Sequence, residues 1–414
     1  MPDRGITRAE FAILGAALQS VLAAGPALAQ APAPLASIRA LKQALVLSGG
    51  GALGAYEAGA VETLTAQYGT RDGQQLGPYE LVAGTSIGAF NAYLIATGQF
   101  AKLRALWSTI ARENVIRLKP QFAKVTNPSS GLSNRALEAV RLGTGLFKDE
   151  KGVLDGEHLR KFLIGYLDFN APVITPMLWA VTNLTLQIPE YFYLATDNTT
   201  PEKLELALTS IHLSVGRDVP VRAATRALLV DQLRASAAVP IAFDPVILPG
   251  PDGKPCSYVD GGVTANTPVN VARAIALRVD AIVLNPAFHS ETYDNAVEIS
   301  IGSFDTMQRR LIEQTLRIAY LQSLLLQALN QMTNEYVAKL ASLAAVSVDD
   351  LRKLQIVLSD TQFYLLRPKS LLPAKLLGFD NEADIARTYA IGQSDAAGGF
   401  QHFDLAAMAS TSTV

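Results

Sequence analysis

Gly84-Thr85-Ser86-Ile87-Gly88 decides how this chain is read. It fits G-x-S-x-G. The apolar-rich run Tyr79-Glu80-Leu81-Val82-Ala83 precedes it, and Ala89-Phe90-Asn91-Ala92-Tyr93-Leu94 follows. The pattern predicts a strand that turns sharply into a helix. Such a turn is strained and brings two backbones close together, which is why glycines, here Gly84 and Gly88, flank its apex. Ser86 sits at the apex, raised at the N-terminus of the following helix. Helix-start amides there face whatever the hydroxyl attacks, which makes Ser86 a candidate nucleophile with the Ile87 amide beside it.

Upstream, Ala44-Leu45-Val46-Leu47 is a short apolar run that ends in Ser48-Gly49-Gly50-Gly51-Ala52-Leu53-Gly54. The run predicts a buried strand of a parallel sheet. The glycines let backbone N–H groups converge on one point, a nest for a phosphate or a developing oxyanion, with Gly49, Gly50 and Gly51 as candidates. Gly49-x-Gly51-x-x-Gly54 also fits a dinucleotide fingerprint with Asp72 near the expected distance, so a nucleotide-binding oxidoreductase is an alternative. It leaves the serine elbow unexplained. A third element, Tyr258-Val259-Asp260-Gly261-Gly262-Val263, ends a predicted strand on an aspartate. In isolation Asp260 reads as a turn residue. If both strands belong to one open parallel sheet, Ser86 and Asp260 lie at C-terminal strand ends and face one crevice.

Further along, helices are predicted over 56–67, 89–110 and 228–238, and strands over 81–84, 178–184, 191–194, 257–259 and 281–284. Strands alternating with helices predict an α/β fold, with three α/β/α layers and a mostly parallel central sheet. From Phe304 to about Ala345, apolar residues recur at helical spacing, which predicts one or two long helices packed on the main domain or forming a lid or membrane-contact face.

Bulk properties bound the function. The chain has 414 residues, 49% hydrophobic and 17% charged, enough for a sizeable core. A formal net charge of −2 gives no reason to expect nucleic acid as a partner. The four histidines (His158, His212, His289, His402) are scattered and no metal-ligand spacing occurs, so no metal or cofactor is called for. The lone cysteine, Cys256, allows no internal disulfide and reads as a core residue. Residues 1–29 read as an export signal: Arg4 and Arg8, an apolar run from Phe11 to Ala24, then Ala27-Leu28-Ala29 before Gln30. A membrane anchor is the alternative, although the run is short for a span of about 20 residues. The expected order is signal peptide (1–29), Pro/Ala linker (30–41), α/β catalytic domain (42–300), helical extension packed on it (301–398) and flexible tail (399–414). The sequence sets neither the oligomeric state nor whether the first segment is removed.

Four blocks, taken in order, resemble the patatin-like phospholipases: Ser48–Ala55, Gly84–Ala89, Ala235-Ser236-Ala237-Ala238-Val239-Pro240-Ile241-Ala242-Phe243-Asp244-Pro245, and Val259–Pro268. The resemblance spans about residues 43–290, with an echo at Leu377-Gly378-Phe379 and Ile391-Gly392. It implies a serine–aspartate dyad, with Ser86 as nucleophile and Asp260 as base, an oxyanion hole from the glycine loop, no cofactor, and a lipid or ester substrate met at a membrane or micelle surface. The family often carries Arg or Lys where this chain has Leu53, so any electrostatic help from that side chain is missing. Two alternatives accompany this reading. One is a Ser-His-Asp triad through His289, which follows the strand at 281–284. The other is a catalytically silent lipid-binding protein of the same fold.

Overall fold

Strand β1 (Leu41–Leu47) runs through the middle of the sheet, and its last four residues, Ala44 to Leu47, are fully buried. In a computed structural model of the chain, the residues described are 41–71, 75–111, 115–140 apart from 133 and 137, 151–196, 219–286 and 362–403, with isolated positions between 306 and 348. After β1 come α1 (Gly54–Tyr68), a short hairpin of β2 (Thr70–Arg71) and β3 (Gln75–Leu76), β4 (Leu81–Thr85), α2 (Ile87–Ala96), α3 (Phe100–Thr109) and α4 (Pro120–Val125). Then follow α5 (Gly156–Tyr166), β5 (Met177–Asn183), β6 (Ile188–Leu194), β7 (Val221–Ala223), α6 (Leu229–Ser236), β8 (Val246–Pro249) and β9 (Pro255–Asp260). The described chain ends with α7 (Val269–Ile275), β10 (Ala276–Ile282), β11 (Gln362–Leu366), α8 (Glu382–Ala397) and β12 (Gln401–His402).

The main sheet runs β12-β11-β10-β1-β4-β5-β6-β7, with β9 joined to β5 and β8 to β9. Pairing is parallel from β11 through β5 and between β6 and β7. It is antiparallel at β11–β12, β5–β6, β5–β9 and β8–β9. Alternate residues of the central strands serve opposite faces. Leu45, Leu47 and Val82 join one core with residues of α1, α2, α3, α5, α6 and α8. Ala44, Val46, Leu81 and Ala83 join the other with Val271, Ala272 and Ile275 of α7. These are the three α/β/α layers expected from the sequence.

The boundaries differ in three places. The helix expected over 89–110 is two helices, broken at Thr97-Gly98-Gln99, where Gly98 has φ 67° and leaves the helical path. The division at residue 300 does not separate domains, because β11 extends the main sheet: Arg278 to Ile282 of β10 pair in parallel with Gln362 to Leu366. Helix α8 lies on α1 with the backbones in contact. A Cβ at Gly59 would come within 2.0 Å of the Tyr389 carbonyl oxygen, and one at Gly392 within 2.0 Å of that of Tyr56. The tail does not begin at 399, since Gln401 and His402 form β12 on β11. Leu41, given to the linker, already belongs to β1. The export segment, residues 30–40 of the linker, Asp72 and His289 lie outside the described residues, as do the long helices of 304–345 apart from a few isolated positions. Among the described residues, no helix is long and apolar enough to cross a membrane.

Candidate active site

The turn from β4 into α2 is the elbow expected from G-x-S-x-G. Ser86 has φ 54° and ψ −126°, in the left-handed half of backbone space that a side chain disfavours. Strain of this kind costs of the order of 1–3 kcal/mol and persists only where neighbouring structure enforces it. Close packing does so here. A Cβ at Gly84 would lie 2.3 Å from the Gly88 carbonyl oxygen, and one at Gly88 would lie 2.6 Å from that of Ser48. β4, α2 and the end of β1 therefore touch through bare backbone.

Ser236 adds a second restraint. Its hydroxyl accepts from the Ser86 amide at 2.9 Å and donates to the Ala180 carbonyl of β5 at 2.6 Å, all buried. Ser236 falls within one of the four sequence blocks, but nothing in its spacing assigns it a role. A small hydroxyl residue near the end of a helix is common enough that position alone does not mark a structural bolt.

Asp260 reaches Ser86 by a route that differs from the expected one. β9 runs antiparallel to β5, so the two residues are not at equivalent ends of neighbouring parallel strands. β6 covers one edge of β5 along its whole length. β4 and β9 share the other edge, entering from opposite directions: Thr85 pairs with Ala180 and Asp260 with the next residue, Val181. The two strands meet head-on. Ser86, one step past the end of β4, thus faces Asp260, 174 residues away in sequence. Ser86 Oγ donates to Asp260 Oδ2 at 2.6 Å.

The rest of the aspartate is also held. Gly262 N–H donates to Asp260 Oδ1 at 2.6 Å, the Asp260 amide donates to the Ala238 carbonyl at 2.9 Å, and Thr182 Oγ1 donates to the Asp260 carbonyl at 2.9 Å. Asp260 is 1% exposed. Burial, which disfavours the charged form, pushes its pKa up from 3.8 to about 7, against the opposing pull of the bonds from Ser86 and Gly262. An acceptor that titrates near neutrality suits a base for a hydroxyl far better than an ordinary aspartate does.

The glycine loop packs against the serine: a Cβ at Gly49 would lie 3.1 Å from Ser86 Cβ. Gly49 itself is removed from the candidate oxyanion donors, because its amide is spent on the Asn266 carbonyl at 3.0 Å while Asn266 Nδ2 donates back to the Gly49 carbonyl. The amides of Gly50, Gly51 and Ile87 donate to no group among the described residues. Gly51 has φ 56°, and a Cβ there would lie 2.0 Å from the Leu376 carbonyl oxygen, so the loop conformation needs glycine. Leu53, at the position where the family often has a cation, packs against the main core.

A cleft opens beside Ser86 and Gly51. Its walls are almost wholly carbon, with Ile87 and Phe90 of α2, Leu106 of α3, Leu163 of α5 and Phe379 among them. Among the described residues no cluster of His, Cys, Asp and Glu is arranged to hold a metal ion. His402 is exposed on the edge strand β12, stacked edge-on against Tyr364. The acceptor bonded to Ser86 is the aspartate itself, with no imidazole between them.

A three-layer α/β/α sandwich with a strained serine at a strand–helix elbow, a buried carboxylate bonded to it and idle amides beside it belongs to the α/β proteins built around a nucleophile elbow. The family model for patatin-like phospholipase matches residues 45–273, more than half of the chain, and the chain belongs to that family, whose members are in general hydrolases of lipid ester bonds. The crystal structure of VipD from Legionella pneumophila is similar at 14% identity over 88% of this chain and 68% of that one, with a TM-score of 0.30. A search of curated proteins finds no match.

Proposed function

We propose that this protein is a lipid acyl hydrolase that cleaves carboxylic esters through an acyl intermediate on Ser86, with Asp260 as the base. The observation that carries the proposal is the direct 2.6 Å bond from Ser86 Oγ to Asp260 Oδ2. As Ser86 Oγ attacks the ester carbonyl, its proton passes to Asp260 Oδ2 and the carbonyl electron pair moves onto oxygen. The amides of Gly50, Gly51 and Ile87, which donate to no other group among the described residues, take that charge. One donor of this kind is worth about 3 kcal/mol in the transition state. Collapse expels the alcohol, which takes its proton from Asp260. Water then loses a proton to Asp260 and attacks the acyl-enzyme, and collapse releases the fatty acid as Ser86 Oγ takes that proton back from Asp260. The carbon-lined cleft offers the acyl chain an apolar path away from the serine.

The substrate is a lipid or other ester presented by a membrane or micelle, and residues 1–29 direct the chain out of the cytoplasm. The test is covalent labelling by a fluorophosphonate together with hydrolysis of p-nitrophenyl esters. Wild type is expected to label and turn over, and Ser86→Ala to do neither while keeping its circular dichroism spectrum. Wild type that binds lipid vesicles but neither labels nor turns over is the silent lipid-binding protein, and the hydrolase assignment then fails.

A further inference from the structure

A second, polar pocket of about 230 Å³ adjoins the catalytic cleft. That is room for several waters or a small polar group. Leu159, Ala237 and Phe243 line both cavities. The remaining walls of the second include the side chains of Arg234, Glu157 and Asp244. Arg234 belongs to α6, two residues before the Ser236 that bolts the elbow.

The charges in this pocket are unequally engaged. Asp244 is bonded to Lys119 at 2.8 Å, and Asp231 is bonded to Arg160 at 3.0 Å. Arg234 is left with one-point ion pairs from a single nitrogen, 3.3 Å from Asp231 and 3.9 Å from Glu157, and no hydrogen bond of its guanidinium occurs among the described residues. Its side chain is only 19% exposed. Glu157 makes only two long ion pairs, 3.9 Å to Arg160 and 3.9 Å to Arg234, no hydrogen bond through its carboxylate among the described residues, and its side chain is 58% exposed. A guanidinium presents five donors in a fork shaped for phosphate. Largely buried and held only by these one-point pairs, such a group is under-satisfied, and burial already weighs against its charge.

We infer that this pocket is the headgroup site for a zwitterionic glycerophospholipid, with Arg234 receiving the phosphodiester and Glu157 the ammonium, while the acyl chain occupies the adjoining cleft. The inference rests on the hydrolase reading for its reaction, but its recognition chemistry is separate. One cation and one anion, held to each other only by a long 3.9 Å pair, match a zwitterion better than a free polyanion. The nearness of Asp231, Asp244 and Glu157 disfavours a ligand of net negative charge.

The test uses dihexanoyl phosphatidylethanolamine and p-nitrophenyl hexanoate, both monomeric, on the full chain. The readout is the ratio of their kcat/KM values. Arg234→Gln is expected to lower that ratio about tenfold through KM of the phospholipid, with Arg234→Lys restoring part of it. Glu157→Gln is expected to move preference from phosphatidylethanolamine towards phosphatidylglycerol. A ratio unchanged by Arg234→Gln overturns the inference, as does an equal fall in both substrates, which would make Arg234 structural. Glycerophosphoethanolamine should inhibit ester hydrolysis competitively where inorganic phosphate does not. Inhibition by inorganic phosphate alone would assign the pocket to a free anion and overturn the inference. If wild type hydrolyses neither substrate, the hydrolase reading has failed. Calorimetric titration of glycerophosphoethanolamine into wild type and Arg234→Gln then decides the pocket alone: binding that only wild type shows supports it, and equal or absent binding sinks it.

Discussion

Replacing Asp260 by asparagine should destroy activity and yet make the protein more stable in alkali. The carboxyl is fully buried, and its pKa is pushed up from 3.8 to about 7. Between those two pH values the unfolded chain has lost the proton and the folded chain still holds it, so stability falls as pH rises. Each pH unit of that interval is worth about 1.4 kcal/mol, which gives a loss of roughly 4 kcal/mol once pH exceeds 7. The loss is present above pH 7 and disappears as pH falls towards 4. In Asp260→Asn the side chain is neutral throughout. It keeps an oxygen for the Gly262 amide and turns an N–H towards Ser86 Oγ, where Asp260 now accepts. The variant should therefore exceed wild type by about 1–2 kcal/mol at pH 5 and roughly 4 kcal/mol at pH 9, the gap growing with pH up to about 7. Urea unfolding midpoints of the two proteins at pH 5, 7 and 9 measure the gap. In parallel, kcat/KM of wild type for a p-nitrophenyl ester should rise with pH through a midpoint near 7, as the base loses its proton. A gap that stays constant or reverses, or an acid limb centred below pH 5, would refute the claim that desolvation makes Asp260 a base.

Ser236→Ala should lower stability by about 2–4 kcal/mol, since the Ser86 amide and the Ala180 carbonyl lose their shared buried partner, and should lower kcat more than it raises KM. Chemical denaturation and steady-state kinetics test both halves, and an unchanged kcat would show that the elbow holds without the bolt. Leu163→Trp, which enlarges a wall of the carbon-lined cleft, should raise the ratio of p-nitrophenyl butyrate to decanoate turnover about tenfold, in line with the worth of a methylene or two in an apolar pocket. A ratio that stays flat would place the acyl chain elsewhere.

Much of the candidate site was legible because local chemistry fixed it. The elbow needs Gly84 and Gly88 for backbone contact, and those contacts are between residues four apart or with the adjoining strand, so a five-residue pattern reports them. The glycine loop was legible as a nest but not donor by donor. Whether the Gly49 amide faces the serine or the Asn266 carbonyl depends on a residue 217 positions away. The domain boundary failed for a similar reason. Gln362–Leu366 is a five-residue strand that needs β10 beside it, and nothing within those five residues says which sheet they join.

Asp260 shows where reading from the sequence stops. Strand direction is not written in an apolar run, so the aspartate was expected at the end of a parallel strand, and the correct meeting came from an incorrect geometry. What brings the carboxylate to the serine is register on β5, and register is unforgiving: a slip of one residue would turn Asp260 to the opposite face of the sheet. A buried polar network, Glu190 of β6 with Arg222 of β7, Asn183 of β5 and Tyr258 of β9, pins that register. Tyr258 donates to Glu190 at 3.0 Å and Asn183 Nδ2 to Glu190 at 3.1 Å, and Arg222 completes the ion pair. Tyr258 lies two residues before Asp260, on the same face of β9. Glu190 is fully buried, and an ion pair in such a place adds little net stability over apolar packing. Its contribution is to admit one alignment of β9 and reject its neighbours. The aspartate is thus aimed from two residues back along the strand that carries it, by side chains with no hydrogen bond to Ser86 or to the Asp260 carboxylate among the described residues.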